Sequence, residues 1–145
     1  RNRPGRRPMT ARFGLRVYYE DTDLAGIVYY ANYLRFLERG RTEALIALGI
    51  DQRQLRAEEG LVFAVRHVEI DYLAPAFLQD DLTVVTTTRT IGGSRVVLAQ
   101  DVLRGADTLV RATVTVVCIG ADGRPRRVPE PVRTALATLN QEENI

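Results

Sequence analysis

The residues best suited to chemistry fall in one stretch, Glu20-Asp21-Thr22-Asp23-Leu24-Ala25-Gly26-Ile27-Val28-Tyr29-Tyr30-Ala31-Asn32-Tyr33. Three carboxylates stand just ahead of a segment with helical periodicity. The first N–H groups of a helix lack intrahelical acceptors and sit at the positive end of its dipole, so they can polarise a carbonyl oxygen and stabilise an oxyanion. Asp23 precedes Tyr30 by seven residues, and Gly26 between them can turn the chain tightly enough to bring carboxylate and N–H groups to one carbon atom. Acids before a helix also serve as caps or solvated charges, so the stretch taken alone leaves both roles open.

The remaining reactive side chains are poorer candidates. His67 is the single histidine and falls on the polar side of a strand-like run, which favours a structural role. Cys118, the only cysteine, lies in Val-Thr-Val-Val-Cys-Ile with no basic neighbour to lower its pKa, and reads as a small buried hydrophobe. Arg66 interrupts the apolar alternation of its run, which raises the expectation of pairing with a buried carboxylate. Glu38 and Glu43 fall inside the helical segment, and Glu38 is expected to pair locally with Arg35, Arg41 or Thr42.

These residues need elements to hold them. Residues 13–19 read as a strand ended by the acidic loop. From 29 to 48, Tyr30, Tyr33, Leu34, Leu37, Ala44, Leu45 and Leu48 repeat at the spacing of one helix face, with Arg35, Glu38, Arg39 and Glu43 elsewhere. Gly49-Ile50 supplies a left-handed helix end closed by an apolar residue. Asp51 and Gln54 suggest a capping box for a short helix over 52–59, stopped by Gly60. Four β-rich runs follow, at 61–73, 82–91, 95–103 and 108–119, and Pro131 opens a last short helical stretch. In 66–72, Val68, Ile70 and Tyr72 alternate with His67, Glu69 and Asp71. One helix and five strands in succession predict an α+β chain with an antiparallel sheet wrapped around the helix. The edges of such a sheet invite pairing with a second copy.

Composition narrows the function. The chain has 145 residues, enough for one domain, here taken as 10–145 behind a disordered basic leader over 1–9. The net charge of +2 is smaller than the contribution of Arg1, Arg3, Arg6 and Arg7, so the rest is slightly acidic and nucleic-acid binding is not expected. Every basic residue apart from His67 is arginine, which excludes a Schiff-base lysine and the lysine of a phosphate-binding loop. A single cysteine allows neither an intrachain disulfide nor a multi-cysteine zinc site, and a reducing cytoplasm is the expected location. No apolar run is long enough for a membrane-spanning helix.

The run YYEDTDLAGIVYYANYLRFLERGRTEAL closely resembles the signature of the 4-hydroxybenzoyl-CoA thioesterase-like family, especially its YbgC type linked to the Tol-Pal system. The resemblance continues through FAVRHVEIDYLAPA and the Gly-Gly-Ser hairpin to VVCIGADGRPRRVP, covering roughly residues 14–130. It implies the hot-dog fold and hydrolysis of a short-chain or aromatic acyl-CoA, or of an acyl carrier protein thioester, to free acid and thiol. It also implies that Asp23, the second aspartate of the Asp-x-Asp motif, attacks the thioester carbonyl or activates a water, while Tyr30 offers its backbone N–H to the oxyanion. Many YbgC-type proteins have a histidine where this chain has Tyr30, and benzoyl-CoA thioesterases have a tyrosine.

Some hot-dog thioesterases use a helix carboxylate instead, which makes Glu38 the rival of Asp23. Coenzyme A enters as part of the substrate, and no other cofactor and no metal is expected. Its phosphates need cations or backbone N–H groups, for which Ser94 and Arg95 after Gly92-Gly93 are the candidates, with Gly26 at the substrate loop and Arg126-Arg127 second. The expected assembly is a homodimer or homotetramer with sites between subunits. Two other functions compete. A dehydratase of the same fold would want a histidine on the helix or in the loop, where this chain has none. A non-catalytic acyl-CoA-binding or envelope-associated partner domain would keep the fold without turnover.

Overall fold

The computed structural model describes residues 10–140; the leader expected over 1–9 lies outside them. Five strands form one sheet: β1 (Ala11–Arg16), β2 (Val62–Tyr72), β3 (Asp81–Ile91), β4 (Arg95–Arg104) and β5 (Asp107–Ile119). Their order is β1-β3-β4-β5-β2 and every neighbouring pair is antiparallel. The long helix α1 (Tyr33–Ala47) packs on one face, lying closest to β1 and β3. This is the hot-dog arrangement that the resemblance implies. The open edges are β1 and β2.

Local chemistry explains the element ends. The helical segment starts later than its periodicity suggests: Tyr30–Asn32 form a 3-10 turn before α1 proper. At the other end Gly49 takes φ +81°, its N–H bonds to Ile46, and the Ile50 N–H bonds to Leu45, closing the last turn with Ile50 buried. Asp51 does cap α2 (Gln52–Gln54), accepting from the Arg53 and Gln54 N–H groups. The box is not completed, because the Gln54 side chain turns forward to Glu58 at 3.1 Å. A π-helical turn, Leu55–Glu59, ends at left-handed Gly60.

The buried stripe of α1 is Tyr33, Phe36, Leu37, Gly40 and Ala44. Tyr30 and Leu34, expected on the buried face, are exposed instead. The stripe rotates because Gly40 lets the helix approach β3: an added Cβ there would stand 2.6 Å from Val84 Cγ1. One core cluster joins Tyr33, Phe36 and Leu37 to Leu82, Val84 and Val102. A second lies under the end of α1 and α3 (Glu130–Ala137), joining Ile50, Val132 and Leu136 to Val96, Leu98 and Val116.

Arg66 is explained by register rather than by a carboxylate. Val65 pairs with Val116 and His67 with Thr115, so Arg66 is the extra, exposed residue of a β-bulge. The bulge resets the alternation. Phe63 and Val65, at odd positions, and Val68, Ile70 and Tyr72, at even ones, can then serve the same face of β2.

Candidate active site

The loop after β1 is a small hairpin. Thr22 bridges to Val28, the Asp23 N–H bonds to the Ile27 carbonyl at 2.9 Å, and Gly26, at φ +82°, donates to the Asp23 carbonyl at 3.0 Å. A side chain at Gly26 would be strained by that conformation although the space around it is open. The hairpin is pinned to the turn before β3 through the Ile27–Phe77 bridge and the Val28 N–H on the Ala76 carbonyl. That turn is itself braced: Asp80 accepts from the Phe77 N–H and from Arg104, both at 2.8 Å, and Arg104 also reaches the Pro75 carbonyl. Burial pushes the Asp80 carboxyl up, but the Phe77 N–H and the Arg104 guanidinium outweigh it and hold it below the usual carboxylate range.

The two aspartates of the motif have different surroundings. Asp21 is occupied structurally, its carboxylate accepting the Tyr18 N–H at 2.8 Å and its carbonyl holding Tyr29 and the Asn32 amide. Asp23 is exposed, and only its Oδ1 is engaged, by the Ala25 N–H at 2.9 Å. The second oxygen stays available. The Tyr30 N–H, first of the 3-10 turn, has no acceptor among the described residues. The loop thus presents an unpaired carboxylate oxygen and an unpaired N–H at one end of the molecule.

Aromatic rings cluster at Tyr30. Tyr30 packs against Tyr29 at 4.9 Å between centroids and edge-on to Tyr72 at 6.0 Å, and Tyr72 also meets Tyr33 at 5.6 Å. The Tyr72 hydroxyl donates to the Tyr30 carbonyl at 3.3 Å. Burial pushes the Tyr72 phenol up, with Tyr30 adding to the shift; the Tyr29 phenol is raised through its hydrogen bond to Tyr30. Sequence reasoning does not single out Tyr29 or Tyr72. The signal that could have found them is the pair of consecutive tyrosines together with a tyrosine ending the alternating run of β2.

The other candidates lie elsewhere. Ser94 and Arg95 follow the turn between β3 and β4, at the opposite end of an eleven-residue strand from the Asp23 hairpin, roughly 30 Å away along the sheet. Within one chain, Asp23 and Arg95 are not brought together. Ser94 uses its carbonyl on the Cys118 N–H, while Arg95 is exposed. Arg126 pairs with Asp122 at 3.2 Å. Glu38 accepts the Thr42 hydroxyl at 2.9 Å, the local pairing expected of it. His67 is exposed beside Glu69, and Cys118 is buried, which pushes its thiol pKa up. No cluster of metal-binding side chains occurs among the described residues, and no helix there is long and apolar enough to cross a membrane.

With this geometry in hand, the chain can be compared with known proteins. Residues 17–136 match the model of the thioesterase-like superfamily. The chain belongs to that superfamily. It is 41% identical to the acyl-CoA thioesterase YbgC of Haemophilus influenzae, over 88% of this chain and 94% of that protein. It is 32% identical to a 1,4-dihydroxy-2-naphthoyl-CoA hydrolase of Thermosynechococcus vestitus, over 87% and 88% respectively. Among solved structures, a probable thioesterase from Bartonella henselae superposes with a TM-score of 0.80 at 41% identity, covering 83% of this chain and all of that one. This member of the superfamily is a thioester hydrolase of YbgC-like sequence, and the dehydratase and non-catalytic readings fall away.

Proposed function

We propose that the chain hydrolyses acyl-CoA thioesters with Asp23 as the reacting carboxylate and the Tyr30 N–H as the oxyanion donor. The observation that carries this reading is the contrast within the motif: Asp21 is half-buried and ties the loop together through its carboxylate on the Tyr18 N–H and its carbonyl on Tyr29 and Asn32, whereas Asp23 is exposed and bonded only to the Ala25 N–H, ahead of a Tyr30 N–H that has no acceptor among the described residues. An aspartate carboxylate can attack the thioester carbon or take a proton from an attacking water. Either way the carbonyl oxygen gains negative charge, the Tyr30 N–H stabilises it, and the C–S bond breaks to release the thiolate of coenzyme A. Aspartate must then be regenerated, by hydrolysis of an acyl-aspartate in the first route and by proton loss in the second.

The acyl group is proposed to be a short aliphatic chain or an aromatic one, since Tyr29, Tyr30 and Tyr72 offer ring faces and edges beside the reacting atoms. An acyl carrier protein is proposed as a second donor. The enzyme is proposed to work in the cytoplasm as a homo-oligomer with sites between subunits. Two features support that assembly: β2 is an open edge carrying exposed Val65 and Tyr72, and Asp23 is uncovered in the single chain. The phosphates of coenzyme A are proposed to bind Ser94 and Arg95 of another copy, since within one chain these residues stand at the far end of β3 from Asp23.

The test is a panel of aliphatic and aromatic acyl-CoA esters assayed for thiol release, read with light scattering at micromolar concentration. Turnover by an oligomer supports the proposal. A monodisperse, fully active monomer would remove the intersubunit site, and absence of turnover on every ester would remove the catalytic assignment.

A further inference from the structure

A groove runs along α1 on the side facing β2, because the helix lies over β1 and β3 and leaves that flank uncovered in the single chain. Later helix positions face earlier strand positions, so the groove begins beside Tyr30, Tyr33 and Tyr72, next to the proposed oxyanion N–H. Its first part is walled by Leu34 and Leu37 from the helix and by Val65 and Val68 from the strand, with Arg35, Glu38 and Arg41 along it. Beyond, and sharing Glu38, Arg41 and Val65, lies a cavity of about 200 Å³ whose walls are mostly apolar, Leu45, Phe63, Val96, Leu98 and Val116, with Thr42 and Gln52 among them. Glu38 and Arg41 are the charged pair common to both parts.

The charged step is held in place. Arg41 is half-buried and donates to the Gln100 Oε1 at 3.1 Å; burial pushes its pKa down, and the charge of Glu38 opposes that shift. Gln100 cannot swing away, being fully buried with its amide donating to the Leu37 carbonyl at 3.0 Å and to Thr86 Oγ1 at 2.9 Å. Glu38, one turn earlier, is engaged by Thr42. A methylene chain pushed past this point would strip water from a guanidinium that has one protein hydrogen bond and stays charged at any working pH, a costly burial.

We propose that Arg41, tethered by Gln100, sets the upper limit of acyl length by closing the inner cavity to apolar chains. The proposal rests on the reading that the acyl group enters the groove from the Tyr30 end. Arg41 lies eight residues beyond the start of α1, about 12 Å along the helix, so the outer part of the groove suits short and medium chains. The cavity behind is room that the wild-type enzyme does not use for substrate.

The experiment compares kcat/KM for straight-chain esters from acetyl-CoA to palmitoyl-CoA in the wild type, Arg41→Met and Arg41→Lys. The wild type should lose at least about tenfold between its best substrate and palmitoyl-CoA, the scale of discrimination that a mismatched apolar pocket produces. Arg41→Met should raise the palmitoyl-to-butyryl ratio by about tenfold or more, and Arg41→Lys, which keeps a cation, should stay near the wild-type ratio. Parallel profiles in all three proteins would overturn the proposal. If Arg41→Met does not fold, Gln100→Met, which releases the tether, should shift the ratio in the same direction, and an unchanged ratio there counts against the gate. Calorimetric titration of the same esters into Asp23→Asn and Asp23→Asn/Arg41→Met proteins reads the length preference without turnover. A preference that depends on Arg41 in a wild type that hydrolyses nothing would sink the thioesterase assignment and leave the gate standing.

Discussion

Replacing Asp23 by asparagine separates chemistry from structure at the proposed site. Asp23 Oδ1 accepts the Ala25 N–H, and an asparagine carbonyl can accept the same bond, so the hairpin from Thr22 to Val28 should keep its shape. The side chain is exposed, and the cost to folding should stay within about 0.5 kcal/mol. What is lost is the second carboxylate oxygen, the atom proposed to attack carbon or accept a proton. Removing such a group costs about 100-fold or more in kcat, which is about 2.7 kcal/mol of transition-state stabilisation, with KM little changed. The assay is release of coenzyme A followed with a thiol reagent, alongside a thermal melt that should not move by more than a few degrees. Normal turnover by Asp23→Asn together with a dead Glu38→Gln would place the catalytic carboxylate on α1 and refute the assignment.

Four further outcomes are expected. Tyr30→Phe should keep much of the activity, because the proposed contribution of Tyr30 is its backbone N–H; inactivity of both Tyr30→Phe and Asp23→Asn in the thiol assay would make the phenol a working acid. His67→Ala and Cys118→Ser should retain turnover within a few fold, with the latter lowering stability by about 1–3 kcal/mol in denaturant titration, since a hydroxyl replaces a buried thiol. The Asp80 carboxyl is held below its ordinary value, so its contribution to stability is present above about pH 4 and is lost as pH falls through the depressed value; Asp80→Asn should flatten that part of the acid-unfolding profile. Arg95→Ala should raise KM for coenzyme A esters far more than for a thioester of a small phosphate-free thiol, and equal effects on both would remove Arg95 from phosphate binding.

Much of the frame was legible in the chain because the relevant forces are local. The helix over 33–47, its glycine end at Gly49 and the four late strands all match stretches whose periodicity or turn residues specify them within a few neighbours. The failures are equally physical. The side of α1 that is buried depends on Gly40 meeting Val84, a contact between residues 44 positions apart, and periodicity alone therefore puts Leu34 on the wrong side. Arg66 looks like a charge in search of a partner, whereas the change of apolar phase from Phe63 and Val65 to Val68 and Ile70 is the written trace of a bulge.

The sequence by itself determined the chemical inventory: Asp21 and Asp23 ahead of a helix, a glycine between Asp23 and Tyr30, tyrosines rather than histidine, and arginine alone among the long cations. Those are properties of residue types and short spacings, which no folding step alters. Only the tertiary structure decided that Asp21 is half-buried, with Tyr29 and Asn32 folded back onto its carbonyl, while Asp23 stays exposed. It also decided that Ser94 and Arg95 stand a strand's length from Asp23, and that Arg41 crosses a groove with Gln100 behind it. Strand register and helix placement bring together groups far apart in the chain, and nothing in a local stretch of sequence encodes those distances.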